Sequence, residues 1–221
     1  MTHEQFRAYL IDVHGPLVKS ITEVAADIRR YTYNFARSDR ADVAFGHPTA
    51  DLDVVTQGIF DSREAQLHNM THPRFKEFLR PDEANFADTE RAVMHYTSQQ
   101  VVVDGPTTAT KIFYFRRRKA GLDRAVFQRQ WLSRFPSALR TAPGFDNAVS
   151  RYVQNHVYAE ADHPDGGSTK FYDVIDELWI TDEASLAGLS ACAGAVGVVE
   201  SELLTTHRTC ALLTETVVNI G

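Results

Sequence analysis

The chain has 221 residues, room for one large domain or two small ones, and its 43% hydrophobic and 24% charged residues suit a globular protein with a real core. Its 23 Lys and Arg against 29 Asp and Glu leave a net charge of −6, which disfavours contact with phosphate backbones and sets nucleic-acid roles aside. The start Met1-Thr2-His3-Glu4-Gln5 lacks a signal-peptide pattern and no run approaches the ~18 apolar residues of a membrane span, so the sequence predicts a cytoplasmic protein with no membrane partner.

Thr2 and Gln5 have the spacing of a capping box, and Phe6, Leu10 and Val13 fall on one face of the helix it opens. Gly15-Pro16 should end that helix, because proline has no N–H to continue it. Residues 29–36 are aromatic and β-branched and read as a strand, 37–50 as a polar loop, and 51–60 as a second strand. Asp61-x-x-Glu64 reads as another capping box, opening a helix over 62–79 interrupted near His72-Pro73, and a strand follows near 95–103. Then come a strand over 110–116, a helix from Asp123 carrying Phe127 and Trp131 at i, i+4, and a strand over 151–158. A loop with His163-Pro164-Asp165-Gly166-Gly167 leads to a strand over 171–180, a helix from Thr181-Asp182 to about 190, and a last strand over 208–219.

This order contains itself twice. Phe6 and Phe127, Arg30 and Arg151, Tyr31 and Tyr152, and Asn34 and Asn155 all stand 121 residues apart, and Asp53-Val54-Val55 against Asp173-Val174-Ile175 continues the register with a small slip. Two halves, 1–106 and 107–221, follow. The second has the β-α-β-β-α-β order of a ferredoxin-like α+β unit, whose bare sheet face two such halves can cover by packing together. The first half has no room for an opening strand, so either a strand upstream of Met1 or a neighbouring strand should fill that slot; an unpaired gap would leave costly backbone groups.

Phe6-x-x-Tyr9-Leu10-x-x-x-His14-Gly15-Pro16-Leu17, Arg29-Arg30-Tyr31-x-x-Asn34 and Pro81-Asp82-Glu83-Ala84-Asn85-Phe86 resemble the EthD-like family of dimeric α/β barrels. So do Phe113-Tyr114-Phe115-Arg116-Arg117-Arg118-Lys119-x-Gly121-Leu122, Phe127-x-x-x-Trp131 and Arg151-Tyr152-Val153-Gln154-Asn155-His156 in the second half. The resemblance implies tandem ferredoxin-like units forming a pseudo-dimeric α/β barrel, with a cavity between sheet and helices and homodimerisation left open. It also implies work in degradative or polyketide and aromatic tailoring pathways, where family members act as cyclases, dehydratases or decarboxylases without a bound cofactor. The second half departs from the pattern at Phe135, which stands where the offset places the partner of His14, and at Ser137 in place of Pro16.

His14 is the sharpest chemical candidate, as a general acid or base at a helix C-terminus whose dipole favours the imidazolium; the competing reading is a histidine that caps the last carbonyls. Tyr9 and Asp12 on the same helix are read either as supporting it or as facing solvent or core. Strand alternation places Val153 and Val157 on a helix-facing side and turns Tyr152, Gln154 and His156 to the barrel interior, with Tyr31, Tyr33 and Phe35 as their counterparts. Such an aromatic wall suits a hydrophobic small molecule, and equally the filling between two sheets. His68-x3-His72 lacks the Glu of a zincin, His163-x-Asp165 reads as a turn, and Cys192 and Cys210 are too few for a zinc knuckle, so no metal site is expected. Arg116-Arg117-Arg118-Lys119 reads either as a grip for an anion or as a solvated strand end. No phosphate loop, dinucleotide fingerprint or nucleophile elbow occurs, and no cofactor is expected. The expected function is a cofactor-independent tailoring enzyme, a lyase, dehydratase or cyclase acting on an apolar aromatic or polyketide-like molecule in the first half. A non-catalytic ligand-binding or accessory protein and a cofactor-free monooxygenase are the alternatives.

Overall fold

The computed structural model describes residues 1–37, 46–158, 172–189, 192–205 and 208–221, without the side chains of 187 and 188. The His163–Gly167 turn lies outside these. The chain divides into two compact units, the first made of 1–35, 53–93 and 216–221 and the second of 36–52 and 94–215. Both combine helices with antiparallel strands in the α+β manner, and no described helix is long and apolar enough to cross a membrane.

In the first unit, α1 (His3–Tyr9) begins with the capping box at Thr2 and Gln5. It does not end at Gly15-Pro16. One π-turn, Leu10–His14, carries the chain into α2 (Gly15–Ser20), with Gly15 N–H bonded to Leu10 C=O and Pro16 in the first turn of the new helix. The wider turn gives the proline ring room beside the preceding carbonyls and places its missing N–H where none is needed. A short helix, α3 (Thr22–Ala25), leads to β1 (Ile28–Ala36), which pairs antiparallel with β2 (Val54–Phe60). The next helix, α4 (Arg63–Thr71), is capped by Ser62, whose hydroxyl accepts the Ala65 N–H, rather than by the expected Asp61. His72-Pro73 breaks it as expected, and the chain then repeats the earlier device: a π-turn at Phe75–Leu79 precedes α5 (Arg80–Glu83), with Pro81 in its first turn. The end of β7 (Cys210–Ile220) lies beside β1, where Thr216 Oγ1 donates to Asn34 Oδ1 at 2.8 Å. The opening strand of the second half, 110–116, pairs with 174–180, so its missing counterpart belongs on the other side of β2, which stands last in the strand order among the described residues; the expected filling strand is not found there.

The second unit contains β3 (Thr97–Val103), β4 (Thr110–Arg116), α6 (Arg124–Leu139), α7 (Phe145–Ala148), β5 (Val149–Val157), β6 (Val174–Ile180), α8 (Leu186–Leu189), α9 (Cys192–Leu203) and the start of β7. Its strands run in the order β7-β4-β6-β5-β3. Phe127, Trp131, Phe135 and Leu139 of α6 and Val196, Val199 and Leu203 of α9 pack on Ile112, Tyr114, Tyr152, Leu178 and Ile180 of the strands. The sequence reading ends the helical stretch near 190 and misses α9. Gly194 and Gly197 lower its propensity by ~1 kcal/mol each, and the buried valines offset that through tertiary contact.

Asn34 and Asn155 make matching bonds. Asn34 Nδ2 donates to Val55 C=O at 2.8 Å and Gln57 Oε1 at 3.1 Å; Asn155 Nδ2 donates to Ile175 C=O at 3.1 Å and Glu177 Oε1 at 2.6 Å.

Candidate functional site

The two π-turns aim the two groups that matter most. The first ends on His14, buried at 4% exposure, and the second delivers Asp82 on α5. His14 Nδ1 lies 2.7 Å from Asp82 Oδ2, and His14 Nε2 lies 3.3 Å from the Tyr31 hydroxyl. On the other carboxylate oxygen, Tyr9 donates its hydroxyl to Asp82 Oδ1 at 2.5 Å, and Asn85 Nδ2 donates to the same oxygen at 3.3 Å and to Tyr9 at 3.2 Å. Burial works against the Asp82 charge, but the bonds from Tyr9, His14 and Asn85 outweigh it and hold the carboxyl below its ordinary range. The same bond to Asp82 raises the Tyr9 phenol, which therefore stays a donor.

An ionised carboxylate can only accept, so Asp82 takes the Nδ1 proton of His14. That leaves Nε2 as the nitrogen free to accept or return a proton, the arrangement needed of a general acid–base group. The helix-end reading of His14 is corrected here: the helical path runs on to Ser20, so His14 caps no helix end and its ring nitrogen meets a carboxylate instead. Asp12 is corrected as well. It is exposed on the outer side of the turn, and the carboxylate at His14 comes from Asp82, 68 residues further on.

Aromatic rings surround the imidazole. Phe86 meets it edge-on with centroids 4.8 Å apart, and Tyr33 and Tyr31 follow at 6.4 and 6.5 Å. Tyr33 in turn packs on Phe35, which Phe6 and the Arg7 guanidinium cover. Tyr31, Tyr33 and Phe35 thus meet His14 and Phe6 on the helix-facing side of β1 rather than on the opposite side, toward a barrel interior, where the alternation puts them. The sequence reading does not single out Asp82, Asn85 and Phe86 as site residues, although they sit together in the motif Pro81–Phe86.

Tyr152, Gln154 and His156 belong to a different network in the second unit. Their alternation is as expected but the sides are exchanged: Tyr152 faces α6, edge-on to Phe135, because its large ring fills the core there, while Val153 and Val157 are outside that cluster. His156 Nε2 lies 3.0 Å from Gln154 Oε1, Gln154 donates to the Tyr152 hydroxyl at 2.7 Å, and Tyr152 donates to Asp176 at 2.8 Å. Asp176 also accepts from Trp131 Nε1 at 3.2 Å and Arg116 Nε at 3.0 Å, and Arg116 Nη1 donates to Glu200 at 2.7 Å. Burial pushes His156 down to about 4. The basic run is therefore no free anion grip, and of its four residues Lys119 alone is exposed. Arg116 is fully buried between Asp176 and Glu200, Arg118 pairs with Asp173, and Lys119 donates to Ser201 C=O. Phe135 lies stacked on Trp131 with centroids 4.1 Å apart. His68, of the i, i+4 pair, is bonded to Asp27 at 2.7 Å.

A family model described as EthD domain matches residues 1–90, a span that contains every residue of the His14 site. The chain is 31% identical over 99 residues to a conidial pigment biosynthesis dehydratase EthD of Metarhizium robertsii, covering 42% of this chain and 70% of that one. It is 32% identical over 98 residues to the dehydratase ustZ of Ustilaginoidea virens, covering 41% and 69% respectively. It is 31% identical over 112 residues to a decarboxylase of Claviceps purpurea, covering 48% and 79%.

Proposed function

The chain belongs to the EthD family, and from that premise we infer that it is a lyase of aromatic or polyketide-like molecules that removes water from a β-hydroxy carbonyl group without a cofactor. The buried bond between His14 Nδ1 and Asp82 carries this reading, because it leaves Nε2 as the working nitrogen against an aromatic wall. Dehydration needs a proton taken from the carbon beside the carbonyl and a proton given to the departing hydroxide. One imidazole can do both in turn, and no electrons are exchanged with a redox partner. Asp82 holds the ring and offsets the imidazolium charge between the two steps, and Tyr9 and Asn85 hold Asp82. Tyr31, Tyr33, Phe35 and Phe86 supply the flat apolar surface for a ring system.

Decarboxylation is the second reading, favoured by relatives named decarboxylases. It too needs one proton on carbon, but draws it from solvent. The two halves are read as related tandem copies in a pseudo-dimeric barrel. Supporting this are the constant offset and the matching bonds of Asn34 and Asn155. Chemistry is assigned to the first half alone, since Phe135, at the position of His14, can pack but cannot move a proton. The test is incubation with an aromatic β-hydroxy ketone and with an aromatic carboxylic acid, read by mass spectrometry. Loss of water from the first supports dehydration, loss of carbon dioxide from the second supports decarboxylation, and tight binding without either supports an accessory protein.

A further inference from the structure

We propose that the hydroxyls of Tyr33 and Tyr31 form an oxygen-binding pair, which holds the substrate's carbonyl oxygen and stabilises it as an enolate while His14 takes the neighbouring proton. The proposal rests on the reading of His14 as the acid–base group. The observation behind it is an orphan. Tyr33 is 1% exposed, and its hydroxyl makes no well-formed hydrogen bond within the protein, the Tyr31 hydroxyl being the polar group it interacts with. Leaving a buried donor unsatisfied is costly, and such groups in native structures call for an explanation in strain, chemistry or an absent partner. The surroundings indicate which applies. Tyr31 and Tyr33 alternate onto the same face of β1, their rings meet edge-to-face with centroids 5.3 Å apart, and both flank His14. The bond between the Tyr31 hydroxyl and His14 Nε2 is long, at 3.3 Å, so a better acceptor can take the hydroxyl and free the nitrogen for the substrate. Burial holds both phenols above their ordinary range, so they remain donors wherever an imidazole can act as a base.

The second unit provides the contrast. Tyr152 and Gln154 stand 121 residues after Tyr31 and Tyr33, and there Gln154 donates to the Tyr152 hydroxyl while Tyr152 donates to Asp176. Both positions are saturated internally. In the first unit, the same two positions carry two hydroxyls held only loosely, Tyr31 by His14 and Tyr33 by no well-formed bond.

The step balances as follows. The C–H bond beside the carbonyl breaks, its proton goes to Nε2, and its electron pair moves to the carbonyl oxygen between the two phenols. The pair then returns to re-form the carbonyl, the enolate's C=C electrons shift to form a new C=C bond to the hydroxyl-bearing carbon as its C–OH bond breaks, and hydroxide leaves with the proton from Nε2 as water. Two preorganised donors at the oxygen are what this charge development requires.

The test uses 4-nitrophenolate as a stable mimic of the enolate oxygen, titrated optically into the full chain. Wild type should bind it, and Tyr33→Phe and Tyr31→Phe should each weaken binding about tenfold or more, the worth of a hydrogen bond to a charged oxygen. Tyr152→Phe should leave affinity unchanged. Tyr33→Phe should also match or exceed wild type in thermal stability, because it removes an unsatisfied donor. Absence of binding to wild type, or unchanged affinity in Tyr33→Phe, overturns the proposal. Unchanged affinity in Tyr33→Phe together with an inactive His14→Ala leaves the lyase reading standing and removes only the oxygen pair. Weakened binding together with a fully active His14→Ala removes the lyase reading instead.

Discussion

In Asp82→Asn the side chain keeps its size and loses its charge, and its neighbours decide which end of the amide faces His14. Tyr9 and Asn85 both donate to Oδ1, so the amide oxygen is drawn to that side and the NH2 group turns toward His14 Nδ1. A donor there forces Nδ1 to accept, which moves the ring proton to Nε2 and removes the base. Two effects add. Losing a charge-assisted bond of 2.7 Å costs ~1.5–3 kcal/mol, about 10–150-fold in rate. The inverted tautomer raises the loss to about 10³–10⁴-fold, the scale seen when an orienting carboxylate beside a catalytic histidine becomes an amide. The assay is turnover of the dehydration substrate, with the His14 tautomer read from its ring 15N shifts. Wild type should show the proton on Nδ1 and Asp82→Asn on Nε2. Adding Tyr9→Phe and Asn85→Ala to Asp82→Asn removes the donors that fix the amide, and should recover part of the rate. Asp82→Asn within about threefold of wild-type turnover, or an unchanged tautomer, would refute the reasoning.

His156 is buried with its pKa lowered from 6.5 to about 4, so between those values the unfolded chain binds a proton that the folded chain refuses. Stability should therefore fall as pH drops from 6.5 toward 4 and lose this slope below that, with His156→Gln flattening the curve in denaturant titrations across the window. Asp176→Leu strands Arg116 in the core with Glu200 as its remaining carboxylate and should cost about 3–5 kcal/mol, visible as a lower urea midpoint. Phe135→Leu should cost about 1 kcal/mol through its lost stack on Trp131 and leave turnover unchanged; a large fall in turnover would contradict the assignment of chemistry to the first half.

Much of the scaffold is legible without coordinates. Size alternation locates β1 and β5, and the cap at Asp123 and the Phe127–Trp131 spacing locate α6, because these signals lie within a few residues of each other. Long-range partners are hidden for the opposite reason. Asp12 is near His14 in the chain but stays exposed while His14 is buried, whereas Asp82 meets it only because α5 folds back. The basic run after β4 looks solvated until Asp173, Asp176 and Glu200 arrive from other elements. The prolines mislead in an instructive way. Pro16 reads as a break, and like Pro81 it instead follows a π-turn that turns nearby side chains toward a common point. A Gly-Pro or Arg-Pro inside an otherwise helical pattern can mark the aiming of a residue as well as the end of a helix.

Turnover in His14→Ala, measured beside its thermal unfolding, tests the central claim most directly. The protein should unfold at a temperature close to wild type while kcat falls about 10²–10⁴-fold, the usual contribution of a general acid–base group. Turnover equal to wild type in a folded His14→Ala protein would contradict it.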